Sequence, residues 1–220
     1  MSSRFTRSAR EDVIVDIETL VEPVTAAEVE KFMEEYEPPK NYKDAAKILK
    51  HREFAMANAV SKISDAKRFS IGGKRTISVA LGRIDGQQVV DLQAFSGEDL
   101  KAITTSVVAY LDRFVEYRLI GWNHIRFDLP ELARCFKLTG VAPKFKPGKW
   151  DLVDLCKHPF DKIKLKDAAS AFGIETIGMS GADVAQFYDR GDWKSIEDYN
   201  KDDVRITGEL YLAASTIFSF

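Results

Sequence analysis

Carboxylates recur along this chain in settings that suit a metal ion better than water or a simple salt bridge. Asp16 and Glu18 lie in Val13-Ile-Val-Asp-Ile-Glu-Thr19, Asp128 ends Gly121-Trp-Asn-His-Ile-Arg-Phe-Asp128, and Asp203 follows Tyr199 by four positions in Tyr199-Asn-Lys-Asp-Asp203. An anionic group beside an apolar core is costly unless a positive charge compensates it. Two divalent cations would do so, and the same cations catalyse displacement at phosphodiesters. An Asp-x-Glu pair on one strand face brings two hard oxygen ligands together, the donor type that suits Mg2+ or Mn2+. Tyr199 and Asp203 are one helical turn apart and share a face, so the phenol could orient a water held near the carboxylate. Asp202 is the competing carboxylate, but it points about 100° away on an ideal helix.

The surrounding sequence supplies elements able to hold these groups. Val13–Ile17 is a β-branched run that predicts a core strand. Strand alternation sends Asp16 and Glu18 to one side, and Val15 and Ile17 to the other. Thr76–Ile84 and Gln88–Leu92 flank Asp85-Gly86 and predict a β-hairpin. Glu98–Tyr117 predicts an amphipathic helix with Leu100, Ile103, Val107, Leu111, Phe114 and Val115 as its apolar stripe. Short strands are expected at Arg118–Trp122 and Trp150–Leu155, and a helix over Leu129–Leu138 is stopped by Gly140. Asp128, just ahead of Leu129-Pro130, has a second reading as the cap of that helix, and the two roles are compatible. Beyond Ile163 the chain is expected to be mostly helical, with breaks at Gly173, Gly178, Gly181 and Gly191. This order predicts one α/β domain over residues 1–220 with a mixed sheet.

Residues 19–75 interrupt that order as a helical insertion punctuated by Pro23, Pro38 and Pro39. Thr25-Ala-Ala-Glu28 has the pattern of a capping box and opens a helix to about Tyr36; a second helix is expected over Tyr42–Ala66. Formal net charge is −2, yet residues 43–75 hold nine Lys/Arg against three acids, as do residues 134–166. A single basic stretch is commonly a solvated helix face. Two of them beside an acidic metal site point to a surface that tracks a polyanion, and Lys43, Lys47, Lys50 and Arg52 are expected to hold a nucleic-acid strand.

Several classes are disfavoured. No apolar run approaches the roughly 20 residues that span a bilayer, and no apolar stretch follows the Ser/Arg-rich residues before Glu11 to make a secretion signal. Cys135 and Cys156 make neither a disulfide framework nor a zinc spacing; they read as small buried hydrophobes of a protein made in the reducing cytoplasm. His51, His124 and His158 form no recognisable triad, which disfavours a metal-independent hydrolase.

With Asp-x-Glu, Asn-x4-Asp and Tyr-x3-Asp in that order, the chain resembles the DEDD superfamily of 3′–5′ exonucleases, in the subgroup carrying tyrosine in the last motif (DEDDy). It looks most like stand-alone relatives of the proofreading exonuclease domain of family B DNA polymerases. The resemblance runs from Val13 to Tyr211, omits most of residues 19–75 and assigns them no role. It implies a ribonuclease H-like fold and hydrolysis of DNA, favoured over RNA, to 5′-mononucleotides with two Mg2+ or Mn2+ ions. Asp16, Glu18 and Asp203 would hold one ion and Asp16 would bridge to the other, with Asp128 helping through water. Tyr199 would position the attacking water. Substrate contacts are expected at Thr19, Leu20, Trp122, Asn123, His124, Phe127 and Ser180, with core packing the favoured reading for Trp122 and Phe127 over base stacking. Asp151 could assist the site, but a structural cap is the favoured reading for it. Any polymerase or replication protein would be a separate partner, in the cytoplasm, at the nucleoid, or in a host cell if the chain is phage-encoded. Two competing expectations are a ribonuclease D-like exoribonuclease with the same site and a non-catalytic nucleic-acid-binding protein.

Overall fold

The computed structural model describes residues 10–70, 72–157, 159–161 and 163–218. The Ser/Arg-rich residues 1–9 and His158 lie outside these. The chain divides into two compact units, one running to Thr19 and resuming at Thr76, the other Leu20–Arg75.

The larger unit is built on a mixed five-stranded sheet of order β3-β2-β1-β4-β5. Strand β1 (Glu11–Val21) is central and pairs in parallel with β4 (Tyr117–Gly121), Val13 opposite Leu119 and Ile14 opposite Ile120. In turn β4 pairs in parallel with β5 (Leu152–Asp154). The expected hairpin is present as β2 (Lys74–Asp85) and β3 (Gln88–Ser96), antiparallel, with a register shift between Leu81 and Arg83.

Alternation along β1 separates two cores. Val13, Val15 and Ile17 pack with Val79, Leu81, Ile103, Val107 and Leu111 on one face. Ile14 packs on the other with Ala80, Ile120, Val204, Ile206 and Leu210. Each such fully buried aliphatic side chain contributes about 1.5–3 kcal/mol. The even-numbered face of β1 is therefore the face that meets the last helix described, and it is the face that carries Asp16 and Glu18.

Five helices among the described residues accompany this sheet. Helix α4 (Leu100–Leu111) is capped by Asp99, whose carboxylate accepts from the Lys101 and Ala102 N–H groups. It is shorter than the expected Glu98–Tyr117: Val115 is 79% exposed and Tyr117 begins β4 instead. The β-branched and aromatic composition of the segment favoured the strand once β1 offered an edge. Helix α5 (Asp128–Thr139) ends at Gly140, which takes φ +69°, the left-handed conformation that glycine adopts without a Cβ penalty. Ahead of β5, Lys149–Asp151 form a 3-10 turn where a longer strand was expected. Helices α6 (Leu165–Ala171), α7 (Asp183–Asp189) and α8 (Trp193–Ser215) complete the unit. At Gly208 of α8, a Cβ would stand 2.5 Å from Val89 Cγ2 and 3.3 Å from Ile14 Cδ1. Only glycine lets α8 approach the sheet so closely.

In the smaller unit, the Thr25 capping box forms as expected: Thr25 N–H donates to Glu28 Oε2 at 2.8 Å and Glu28 N–H to Thr25 Oγ1 at 3.3 Å. It opens α1 (Ala26–Glu34). The single helix expected over Tyr42–Ala66 is two, α2 (Ala45–Ala57) and α3 (Ala59–Phe69), with Asn58 between them. Asn58 turns its side-chain amide back to the Phe54 carbonyl at 2.7 Å, a local bond that competes with helix continuation. Lys67 ties α3 to α1 through Glu28 at 2.8 Å. No helix among the described residues is long and apolar enough to cross a membrane.

Candidate metal centre

Three carboxylates from the two ends of the sequence meet at one point. Asp16, Glu18 and Asp203 each place a ligand oxygen within 4.8 Å of the others. Asp16 and Glu18 come from the same face of β1, and Asp203 comes from α8, which the Gly208 contact presses onto that face. Asp128, at the first turn of α5, is close enough for its charge to act on both Asp16 and Glu18.

The electrostatics record how crowded the anions are. Burial first, then the charges of Asp128, Glu18 and Asp203, push the Asp16 carboxyl well above the usual carboxylate range, although the residue retains some exposed surface. Glu18 is raised by burial and then by Asp203 and Asp128. Asp203, 7% exposed, is raised mainly by burial, with Tyr199 and Lys166 working in the opposite direction. Its Oδ1 is buried and makes no hydrogen bond. Such an orphaned oxygen, facing two further carboxylates, fits a hard divalent cation: the ion would supply the missing partner and reverse the repulsion.

Around the carboxylates stand groups that hold them. Asn200 Nδ2 donates to Asp16 Oδ2 at 2.6 Å, and Ser78 Oγ donates to Asn200 Oδ1 at 2.8 Å. Both supporting residues are fully buried. Tyr199 is 6% exposed, and burial followed by the Glu18 and Asp203 charges pushes its phenol far up, so it stays protonated. Lys166 of α6 sets its ammonium 4.7 Å from the Tyr199 ring centroid and donates to the Met179 carbonyl. Its charge pulls Glu18 and Asp203 back down. Sequence inspection missed Asn200, Ser78 and Lys166. Asn200 adjoins Tyr199 in the motif itself, whereas nothing local marks Lys166.

The other expected site residues divide. Thr19 and Leu20 continue β1 past Glu18 and are half-buried. Asn123 sits in the left-handed region at φ +57° and donates its N–H to Asp154 Oδ1 at 2.8 Å. Phe127 is 38% exposed beside Asp128, which does not fit core packing. Trp122 does pack inward, stacked on Phe160 with centroids 5.5 Å apart. Ser180 is exposed and bonds Asp183 Oδ2 through both N–H and Oγ, at 2.8 and 2.9 Å. Its neighbour Gly181 lies against Tyr199, since a Cβ there would be 3.6 Å from the phenol oxygen. Asp151 accepts from the Gly148 N–H at 2.5 Å, the structural cap rather than a site ligand.

Two expectations need correction. His124 was expected to reach substrate, but it is fully buried against Gly121, and burial holds its pKa down at about 4. The tight turn after β4 swings it inward. Lys43, Lys47, Lys50 and Arg52 are all exposed, but they do not form one patch. Lys47 and Lys50 line a pocket with Tyr42, His51 and Phe54. Arg52 lines a separate groove with Glu30, Glu34 and Glu53, because two positions along a helix is roughly 200° of rotation.

Comparisons with known proteins agree on the architecture. The RNase_H_2 family, of the RNase_H superfamily, matches residues 69–215. No curated protein matches the sequence. Among solved structures, the family B DNA polymerase of the archaeon Pyrobaculum calidifontis aligns over 96% of this chain and 25% of its own, at TM-score 0.57 and 16% identity. Exonuclease I (apo) aligns over 95% of this chain and 42% of its own, at TM-score 0.53 and 13% identity. E. coli exonuclease I in complex with a dT13 oligonucleotide aligns over 94% of this chain and 41% of its own, at TM-score 0.52 and 14% identity. The chain thus spans a quarter of the polymerase and about two fifths of exonuclease I, and at these identities the likeness is one of fold. With a mixed sheet, helices on both faces and a family match over most of its length, the chain belongs to the RNase_H superfamily.

Proposed function

We propose that this protein is a divalent-metal-dependent 3′–5′ exonuclease of the tyrosine-bearing DEDD type, shortening DNA from single-stranded or frayed 3′ ends to 5′-mononucleotides. The observation that carries this reading is the meeting of Asp16, Glu18 and Asp203 within 4.8 Å, with Asp128 and Tyr199 beside them. The choice of DNA draws support from the folds it shares with a DNA polymerase and with an exonuclease I bound to dT13.

Asp16, Glu18 and Asp203 would hold the metal, with Asp128 contributing to a second ion. Bound Mg2+ or Mn2+ supplies an activated water and neutralises the charge that develops in an in-line displacement. The chain's own residues do the rest. Tyr199 keeps its proton at neutral pH and so offers a fixed hydroxyl to orient the water rather than a base to deprotonate it. Asn200 holds one Asp16 oxygen, leaving the other directed at the site. Lys166 favours the ionised forms of Glu18 and Asp203, against burial and the neighbouring carboxylates. Thr19, Asn123, Ser180 and the exposed Phe127 ring would line the terminal nucleotide, Phe127 by stacking. Water attacks directly, so no covalent enzyme intermediate is required.

The test is a time course with Mg2+ or Mn2+ on matched single-stranded DNA, duplex DNA and RNA labelled at the 5′ end, with EDTA as control. Stepwise shortening from the 3′ end of single-stranded DNA, abolished by EDTA, is expected. Degradation of RNA alone would reassign the protein as an exoribonuclease, and no shortening of any substrate would leave a binding protein.

A further inference from the structure

Helix α2 of the 20–75 unit has two unlike sides. One side, with Leu49, Arg52, Glu53 and Met56, borders the groove edged by Glu30 and Glu34. The other carries Lys47, Lys50, His51 and Phe54, spaced i, i+3, i+4 and i+7, which is a single helical stripe. With Tyr42 this stripe lines a pocket of about 440 Å3. No carboxylate is among its lining residues. Phe54 is 61% exposed, so most of its side chain is open to a ligand. The rest of the pocket is fixed in place: Tyr36 Oη lies 2.5 Å from His51 Nδ1, and Tyr42 packs edge-on against the same imidazole, with centroids 5.5 Å apart. Asp44 caps α2 by accepting from the Ala46 and Lys47 N–H groups, so its charge is spent on the helix end.

Two lysines and an exposed phenylalanine lining one pocket match one ligand chemistry: phosphates with a flat base attached to them. The volume falls within the range of small-ligand pockets, about 300–1,000 Å3. An acidic peptide would satisfy the lysines but leave the Phe54 face unused, and an apolar peptide would leave the lysines uncompensated.

We infer that this pocket is an accessory nucleotide site for single-stranded nucleic acid, with a base stacked on Phe54 and its two flanking phosphates held by Lys47 and Lys50. The inference rests on the exonuclease reading for the identity of the polymer, but it needs no metal and no cleavage. It gives the 20–75 unit a role: the unit adds binding energy for a strand longer than the nucleotide being removed.

The experiment measures binding of the whole protein to fluorescein-labelled dT oligonucleotides by anisotropy, in EDTA so that nothing is cut. Phe54→Ala is expected to weaken binding about tenfold, the loss typical of one base-stacking contact. Lys47→Ala/Lys50→Ala is expected to reduce the slope of log Kd against log salt by about 1.4, two phosphate contacts on a single strand. All three positions are on the surface, and circular dichroism checks that the variants fold. Wild-type affinity and salt slope in both variants would overturn the inference. If the wild type still shortens DNA with Mn2+, the exonuclease reading survives that result. An oligoglutamate peptide that displaces the oligonucleotide, with Phe54→Ala behaving as wild type, would also overturn it and mark an acidic protein segment as the occupant.

Discussion

Asn200 donates its side-chain amide to Asp16 Oδ2 at 2.6 Å while its own carbonyl oxygen accepts from Ser78 at 2.8 Å. A buried serine on β2 thus fixes which way round the Asn200 amide sits, and the amide fixes one oxygen of a carboxylate in the candidate metal site. Groups that orient a ligand from behind are worth about 10–100-fold in metal affinity or activity. Asn200→Ala is expected to lose that much, with the change falling on the Mn2+ concentration needed for half-maximal rate. Ser78→Ala should lose less in rate and about 1–3 kcal/mol in stability, because it strands the amide oxygen. Titrating Mn2+ in the cleavage assay separates the two, and an unchanged Mn2+ requirement in Asn200→Ala would contradict the orienting role.

Asp16→Ala and Asp203→Ala each remove a carboxylate from the cluster and are expected to cost at least about a thousandfold in kcat/KM. The fold should survive, since each change also relieves like-charge repulsion. Tyr199→Phe removes one hydroxyl and leaves every carboxylate, for an expected loss of about 10–100-fold, the worth of one hydrogen bond to a charged or reacting group. Steady-state kinetics on one oligonucleotide, with thermal melts, checks both; equal losses in Tyr199→Phe and Asp16→Ala would refute this division of roles.

The crowded carboxylates have a stability signature. Their pKa values are raised in the folded state, so the folded protein binds more protons than the unfolded chain across that interval. Stability of the metal-free protein therefore falls as pH rises from the ordinary carboxylate range, about 4, through the raised values. Asp16→Asn should flatten that fall. His124 works the other way: held at about 4 against an ordinary 6.5, it takes stability away as pH drops from 6.5 toward 4. Metal competes with the protons, so the rise in Tm with Mn2+ should be larger at about pH 8 than at about pH 5. At a hundred times its Kd the ion contributes about 2.7 kcal/mol. Melting curves with Mn2+ and with EDTA at both pH values decide it, and a pH-independent metal effect would count against the site.

Lys166 lowers Glu18 and Asp203 and lies over the Tyr199 ring. Lys166→Met removes a positive charge from the cluster, so both carboxyls rise and the acid limb of the kcat/KM profile should move to higher pH. Lys166→Arg restores the charge and should bring the limb most of the way back. An acid limb that stays put in Lys166→Met would assign the lysine a packing role alone.

The fold was legible where a single rule governed a segment. Strand alternation alone placed Asp16 and Glu18 opposite Val15 and Ile17, and the two cores follow it. The Thr25 capping box and the Asp85-Gly86 hairpin are local patterns and formed as local patterns do. What escaped was decided by tertiary competition. Tyr117 could extend a helix or start a strand, and only the presence of β1 chose the strand. Asn58 splits a segment that reads as continuous because its side chain captures a carbonyl. Within the site, motifs revealed the residues expected to hold metal but not those that support them. Ser78 meets Asn200 across 122 positions, and His124 is fully buried although Phe127 of the same motif is 38% exposed.

Asp16 and its Asn200 partner are separated by 184 positions. During synthesis the strand bearing Asp16 and Glu18 leaves the ribosome long before α8 does. Until that helix seats itself with Gly208 flush against Ile14 and Val89, Asp203, Tyr199 and Asn200 have not arrived. A nascent chain thus lacks the complete carboxylate cluster, and completing its hydrophobic core is the same act that assembles it.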